Sequence, residues 1–174
     1  MYNWVPETPK DIWVIDTSSI LEVGRIFDQA VQLRIYIDLT KLVEGNSLLY
    51  PPEVYDELER YSVTSNDFID LPFEWAKKNK SRATRFGHRY EELKEVLGHP
   101  RVRNVLDSEK IGVEEADSHI LSLALCLKQK GSQATVISEE RRDRPNKLSL
   151  YTACGLLKIP CLRMERFLIQ QNIL

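Results

Sequence analysis

Ile12-Trp13-Val14-Ile15-Asp16-Thr17-Ser18-Ser19-Ile20-Leu21 is the stretch that decides the fold. Four apolar residues in succession, three of them β-branched, suit a strand buried on both faces of a parallel sheet. The run stops at a carboxylate followed by three hydroxyl side chains. A polar tip therefore sits at the carboxyl end of a buried strand, where open α/β sheets hold their ligands. Asp16 in that place either caps the next helix or takes part in chemistry.

The remaining chain alternates helical and strand patterns. Ala134-Thr135-Val136-Ile137 reads as a second buried strand, with shorter ones at 47–50 and 159–162. Apolar residues at Ile26, Phe27, Ala30, Val31, Ile35, Leu39, Leu42 and Val43 predict one long amphipathic helix over 21–44, closed by Gly45-Asn46. Pro51 and Pro52 start a helix over 53–61, because a proline in the first turn forfeits no helical hydrogen bond. A polar turn over 62–70, helices over 72–80 and 82–97, and a stop at Gly98-His99-Pro100 follow. Residues 114–130 are apolar almost all round, the mark of a helix buried on most sides. After the charged segment 138–147 come short helices over 148–157 and 164–171. Strands alternating with helices predict one α/β domain over 1–174 with a mainly parallel sheet, interrupted by a helical insertion at about 62–112.

A formal net charge of −2 and an isoelectric point near 6.0 exclude a global attraction to nucleic acid or anionic membrane, so any phosphate-binding surface must be local. Cys126, Cys154 and Cys161 have no metal-ligand spacing and read as free thiols of a reducing compartment. No apolar run approaches the length of a membrane span, and a soluble cytoplasmic protein is expected.

Several acids stand where solvated acids should not. Glu57 lies three residues after Val54 and four before Tyr61, on the margin of the buried stripe, whereas Glu53, Asp56 and Glu59 are placed to face water. Asp117 shares a helical row with Ile120, Leu121 and Ala124. Burying an unpaired carboxylate costs several kcal/mol, so this one requires a cation, hydrogen-bond donors or a proton. The plainer reading, a first-turn acid facing the helix dipole, is already served by Glu114 and Glu115. Ser138-Glu139-Glu140 repeats the hydroxyl-and-acid tip after Val136-Ile137, although the adjoining Arg141-Arg142-Asp143-Arg144 also suits a solvated loop. Carboxylates forced together repel, and a hard divalent cation relieves that repulsion. The chemistry most associated with such a site is phosphodiester hydrolysis.

Taken in order, Val14-Ile15-Asp16-Thr17-Ser18-Ser19, Val54-Tyr55-Asp56-Glu57-Leu58, Ala116-Asp117-Ser118-His119-Ile120-Leu121 and Val136-Ile137-Ser138-Glu139-Glu140, with Leu157-Lys158-Ile159-Pro160-Cys161 as a last strand, resemble the PIN-domain nucleases, including the VapC-like toxin type. The resemblance implies a three-layer α/β/α sandwich and a Mg²⁺- or Mn²⁺-dependent ribonuclease. Asp16, Glu57, Asp117 and Glu140 would be its catalytic metal ligands, with Thr17, Ser18 and Ser138 in support. It also implies RNA as substrate, and an antitoxin protein and a second copy of the chain as partners. The family usually places aspartate two residues after the last hydroxyl; here Glu140 stands there, so Glu139 or Asp143 could take the role instead. That departure keeps open a second reading, a noncatalytic PIN-like module binding RNA or protein.

The stretch 77–89 carries Lys77, Lys78, Lys80, Arg82, Arg85 and Arg89 with no acid, a local patch suited to RNA phosphates or simply a solvated helix face. His88, His99 and His119 share no ligand spacing, and His119 lies about 200° round its helix from Asp117, which makes it structural. Trp4, Trp13 and Trp75 read as packing residues.

Overall fold

The first strand, β1 (Asp11–Ile15), runs through the middle of a four-stranded sheet, with Ile12 through Ile15 buried. On one side it pairs with β2 (Leu48–Leu49) and on the other with β3 (Gln133–Ile137); β4 (Cys161–Leu162) lies outside β3. All three pairings are parallel, as the unbroken apolar runs of the central strands require. In this computed structural model residues 10–62, 69–87, 89–109 and 115–174 are described.

Helices cover the sheet in a three-layer α/β/α sandwich. They are α1 (Thr17–Ile26), α2 (Gln29–Glu44), α3 (Pro52–Tyr61), α4 (Leu71–Ala83), α5 (Tyr90–Gly98), α6 (Ala116–Gln129), α7 (Leu150–Leu156) and α8 (Met164–Gln170). The helix expected to be apolar all round is α6, where every residue from Ala116 to Leu127 except His119 is buried. It packs on β1, β3 and α5. Trp13 packs its ring at a tilt against Phe167 of α8, centroids 5.5 Å apart, and Trp75 packs in the same way against Tyr36 and Tyr50. Both act as packing residues; Trp4 lies outside the described residues.

Two helical segments divide differently from the sequence expectation, and the first starts at Thr17, ahead of the predicted residue 21. The single helix predicted over 21–44 is two, α1 and α2. Phe27 leaves the helix in an extended conformation, and Asp28 restarts it by accepting the Val31 N–H on Oδ1 at 3.0 Å. An aspartate N-cap inside the apolar periodicity outweighs it. The helix predicted over 82–97 begins only at Tyr90, because α4 runs on to Ala83 and a turn follows in which Gly87 has φ +60°. A short 3₁₀ turn, Val102–Val105, has no counterpart in the sequence expectation. The insertion adds Trp75, Ala76, Val96, Val102 and Val105 to the same core that β1 and α6 build. The polar turn expected over 62–70 falls largely outside the described residues.

Strand order β2-β1-β3-β4 sends the chain from β1 to opposite sides of itself, and the crevice of such a sheet opens between the strands where the order reverses. Those strands are β1 and β3. Their register pairs Ile15 with Ile137, and the Asp16 N–H donates to Ile137 O at 2.9 Å. The polar tips of the two strands, Asp16 and Ser138, therefore emerge side by side.

Candidate functional site

Asp16 occupies the N-cap position of α1, yet its side chain caps nothing. Oδ2 instead accepts the hydroxyls of Ser18 at 2.5 Å and Ser138 at 2.9 Å. Ser18 Oγ also accepts the Glu139 N–H, and Ser138 Oγ the Glu140 N–H. The two hydroxyls so bind the segment after β3 to the segment after β1 and fix the carboxylate between them. Asp16 is 4% exposed.

Glu57 reaches the same end of the sheet from α3. Its Oε2 accepts the Thr17 hydroxyl at 2.6 Å, and its Oε1 accepts the N–H of Ala116 at 3.0 Å. The Ala116 N–H opens α6 and has no partner within that helix, so a carboxylate is favoured there by hydrogen bonding and by the helix dipole. Glu57 thereby ties α3 to the starts of α1 and α6. Asp117 follows immediately on α6 and is 6% exposed, as its place on the apolar row predicts.

The cation that a buried Asp117 demands is Lys147. Its Nζ lies 2.5 Å from Asp117 Oδ2 and 3.0 Å from Glu140 Oε1, and the lysine is 8% exposed. Glu140 also faces Arg144 at 3.6 Å and accepts the Leu150 N–H at the start of α7. Glu139 and Asp143 are turned elsewhere. Glu139 Oε1 accepts Met164 N–H at the start of α8, and Asp143 Oδ1 accepts the N–H and hydroxyl of Ser149. Of the three acids after β3, Glu140 is the one the structure brings to Asp117.

Asp16 and Asp117 feel the acids around them. Burial first, and then the charges of Glu57 and Glu140, raise the Asp16 carboxyl to a pKa of about 6 against the lowering effect of the Ser18 and Ser138 hydroxyls. Burial and then the Asp16 charge hold Asp117 well above the ordinary carboxylate range, opposed by Lys147. Burial pushes the Lys147 ammonium down, but Asp117 and Glu140 outweigh it, so that its pKa rises and the charge is secured.

Sequence alone does not single out Lys147. The demand for a cation is legible at Asp117, but Arg141, Arg142, Arg144 and Lys147 all lie in one charged segment, and composition does not choose among them. The loop's anchoring chooses. Arg144 and Lys147 pair their backbones, Asn146 Nδ2 donates to Asp107 Oδ1 at 2.6 Å, and Leu148 N–H donates to Asn104 O at 2.6 Å.

No group of three or more His, Cys, Asp or Glu side chains among the described residues stands ready to hold a metal ion. An ammonium, that of Lys147, lies between Asp117 and Glu140. The donor chemistry nonetheless fits a hard divalent cation: the donors are all oxygens, and both hydroxyl bonds to Asp16 go to Oδ2 rather than Oδ1. Asp117 Oδ2 is buried and, beyond its ion pair, has no hydrogen bond of good geometry.

Around the site, two acids depart from expectation. Glu53 turns inward, its Oε1 3.3 Å from His119 Nδ1, because its place one turn before Glu57 points it at α6. Glu115 is buried and accepts the Asp107 N–H at 2.7 Å, so it braces the insertion instead of facing solvent near the dipole; Glu114 lies outside the described residues. In the basic stretch, Lys77, Lys78, Arg82 and Arg85 are exposed, with Arg85 bonded to Asn46. Lys80 is half-buried, its ammonium 3.6 Å from the Tyr55 ring centroid. Arg89 is 8% exposed and donates to Gly87 O, which removes it from any surface patch; His88 lies outside the described residues. Comparison of the chain with protein-family models, with curated proteins and with solved structures finds no match.

Proposed function

We propose that this chain is a metal-dependent endoribonuclease of the PIN type, hydrolysing RNA phosphodiester bonds with Mg²⁺ or Mn²⁺. One observation carries the reading: Asp16, Glu57, Asp117 and Glu140, from four separate segments, gather at the crevice between β1 and β3, where the charges of Glu57 and Glu140 act on Asp16 and those of Asp16 and Glu140 on Asp117. Asp16, Asp117 and Glu140 would hold the cation, and Glu57, with both oxygens engaged, would join them through its remaining lone pairs while it positions α6. The bound cation supplies an activated water and stabilises the leaving oxygen. Ser18 and Ser138 orient the Asp16 carboxylate, and Lys77, Lys78 and Arg82 offer exposed positive charge to RNA phosphates. Three free thiols, with Cys154 and Cys161 near enough to hydrogen-bond, suit a reducing cytoplasm. A toxin-type version of this reading adds an antitoxin protein and a homodimer. Among the described residues no helix is long and apolar enough to cross a membrane. The test is incubation of the protein with structured RNA and Mn²⁺, with and without chelator; cleavage that persists in chelator contradicts the reading.

The second reading is a noncatalytic PIN-like module that binds RNA or protein. Lys147 favours it, because a lysine neutralising two of the acids could have replaced the metal outright. Calorimetry that detects RNA binding but no heat with Mg²⁺ or Mn²⁺ would select it.

A further inference from the structure

We infer that Lys147 is a tethered counter-cation seated where the divalent metal goes, so that metal and lysine compete for Asp117 and Glu140. The inference rests on the metal-nuclease reading above and adds a control on metal loading to it. The ammonium bridges one oxygen of each acid at 2.5 and 3.0 Å, a position in which a cation cannot be added without this one leaving. Two like charges at that separation repel strongly.

The seat is built by the backbone. Arg144 N–H donates to Lys147 O at 2.8 Å and Lys147 N–H returns the bond to Arg144 O at 3.2 Å. The residues on either side, Asn146 and Leu148, are bonded to Asp107, Ser108 and Asn104, at the far end of the helical insertion. The insertion thus holds the root of the lysine fixed, and the four-carbon stem supplies the only travel. Beside it opens a surface cavity of about 750 Å³, lined by Arg103, Asn104, Leu106, Asp143, Asn146 and Lys147 among others. An ammonium that leaves the acids can swing into that open space, near Asp143, without moving the loop. The metal-free protein therefore carries its own neutralising charge, and divalent metal enters only by displacing it.

Two measurements test this. The first is titration calorimetry of Mn²⁺ into wild type, Lys147→Gln and Lys147→Arg at pH 8, above the Asp16 value of about 6. Removing the competitor is expected to tighten Mn²⁺ binding roughly tenfold or more, given the two ion-pair contacts the metal no longer has to break, with Lys147→Arg staying near wild type. Equal or weaker binding by a folded Lys147→Gln overturns the inference and leaves the nuclease reading standing; no Mn²⁺ binding by any of the three overturns both. The second needs no variant: amine labelling followed by mass spectrometry, with Lys41 as an exposed control. Lys147 is expected to label slowly in chelator and faster in saturating Mn²⁺, while Lys41 is unchanged. Protection of Lys147 that persists under saturating metal overturns the inference.

Discussion

Lys147 Nζ sits 2.5 Å from Asp117 Oδ2, with both residues of the pair more than nine-tenths buried. Ion pairs at this depth act asymmetrically: the pair itself adds little net stability, but removing one partner strands the other. Lys147→Met should therefore destabilise the metal-free protein by about 3 kcal/mol at neutral pH, limited by Asp117 taking up a proton. Urea unfolding in chelator measures the loss. Added Mn²⁺ should restore part of it; an unchanged urea midpoint would contradict the burial of the pair.

Asp16 has the opposite sign from an ordinary paired acid. Its folded pKa, about 6, lies above the ordinary carboxylate value of 3.8, so the folded state binds the proton more tightly than the unfolded state. The stability this confers is complete below about pH 4 and is lost as pH rises through about 6, on the order of 3 kcal/mol in all. Asp16→Asn keeps an oxygen for the Ser18 and Ser138 hydroxyls and carries no charge. Thermal melts of the metal-free variant should lie above wild type at about pH 7.5 and lose most of the pH dependence between about 4 and 7. A variant less stable than wild type under those conditions would show that the buried charge is not a cost.

Ser138 donates to Asp16 Oδ2 and lowers its pKa. Ser138→Ala removes that donor and leaves the Glu140 N–H without its acceptor. The Asp16 carboxyl should titrate roughly one unit higher, the equivalent of one hydrogen bond to a charged group. Carboxyl-carbon NMR titration reads the shift directly, and an unshifted midpoint would assign the hydroxyl to packing alone.

The basic stretch divides by burial. Charge-reversing Lys77, Lys78 or Arg82, all exposed, should weaken RNA binding and reduce the salt slope by about one for each phosphate no longer neutralised. Arg89→Ala should leave the salt slope unchanged and lower folding stability, since Arg89 is buried and tied to Gly87.

What is legible in the chain is what period and strand tips encode. The apolar run before Asp16 and its echo at Val136-Ile137 place β1 and β3, and their in-register ends bring Asp16 to Ser138. The all-round apolarity of 116–127 places Asp117 in the interior. Boundaries fail where a single residue overrides a period, as Asp28 and Gly87 do. The choice of Glu140 over Glu139 and Asp143 is open in sequence because it depends on which helix N-termini claim the other two, and those bonds join distant segments. Lys147 is invisible for the same reason: its burial is imposed by Asn104, Asp107 and Ser108, which no local pattern brings to it.

The most direct test of the central claim is single-turnover cleavage of a structured RNA in Mn²⁺ by wild type, Asp16→Asn, Asp117→Asn and Glu140→Gln side by side. The gathered acids predict cleavage by wild type that chelator abolishes, and a loss of about a hundredfold or more in each variant. Cleavage at the wild-type rate by Asp117→Asn, or no metal-dependent cleavage by wild type, would contradict the assignment of these carboxylates as a nuclease centre.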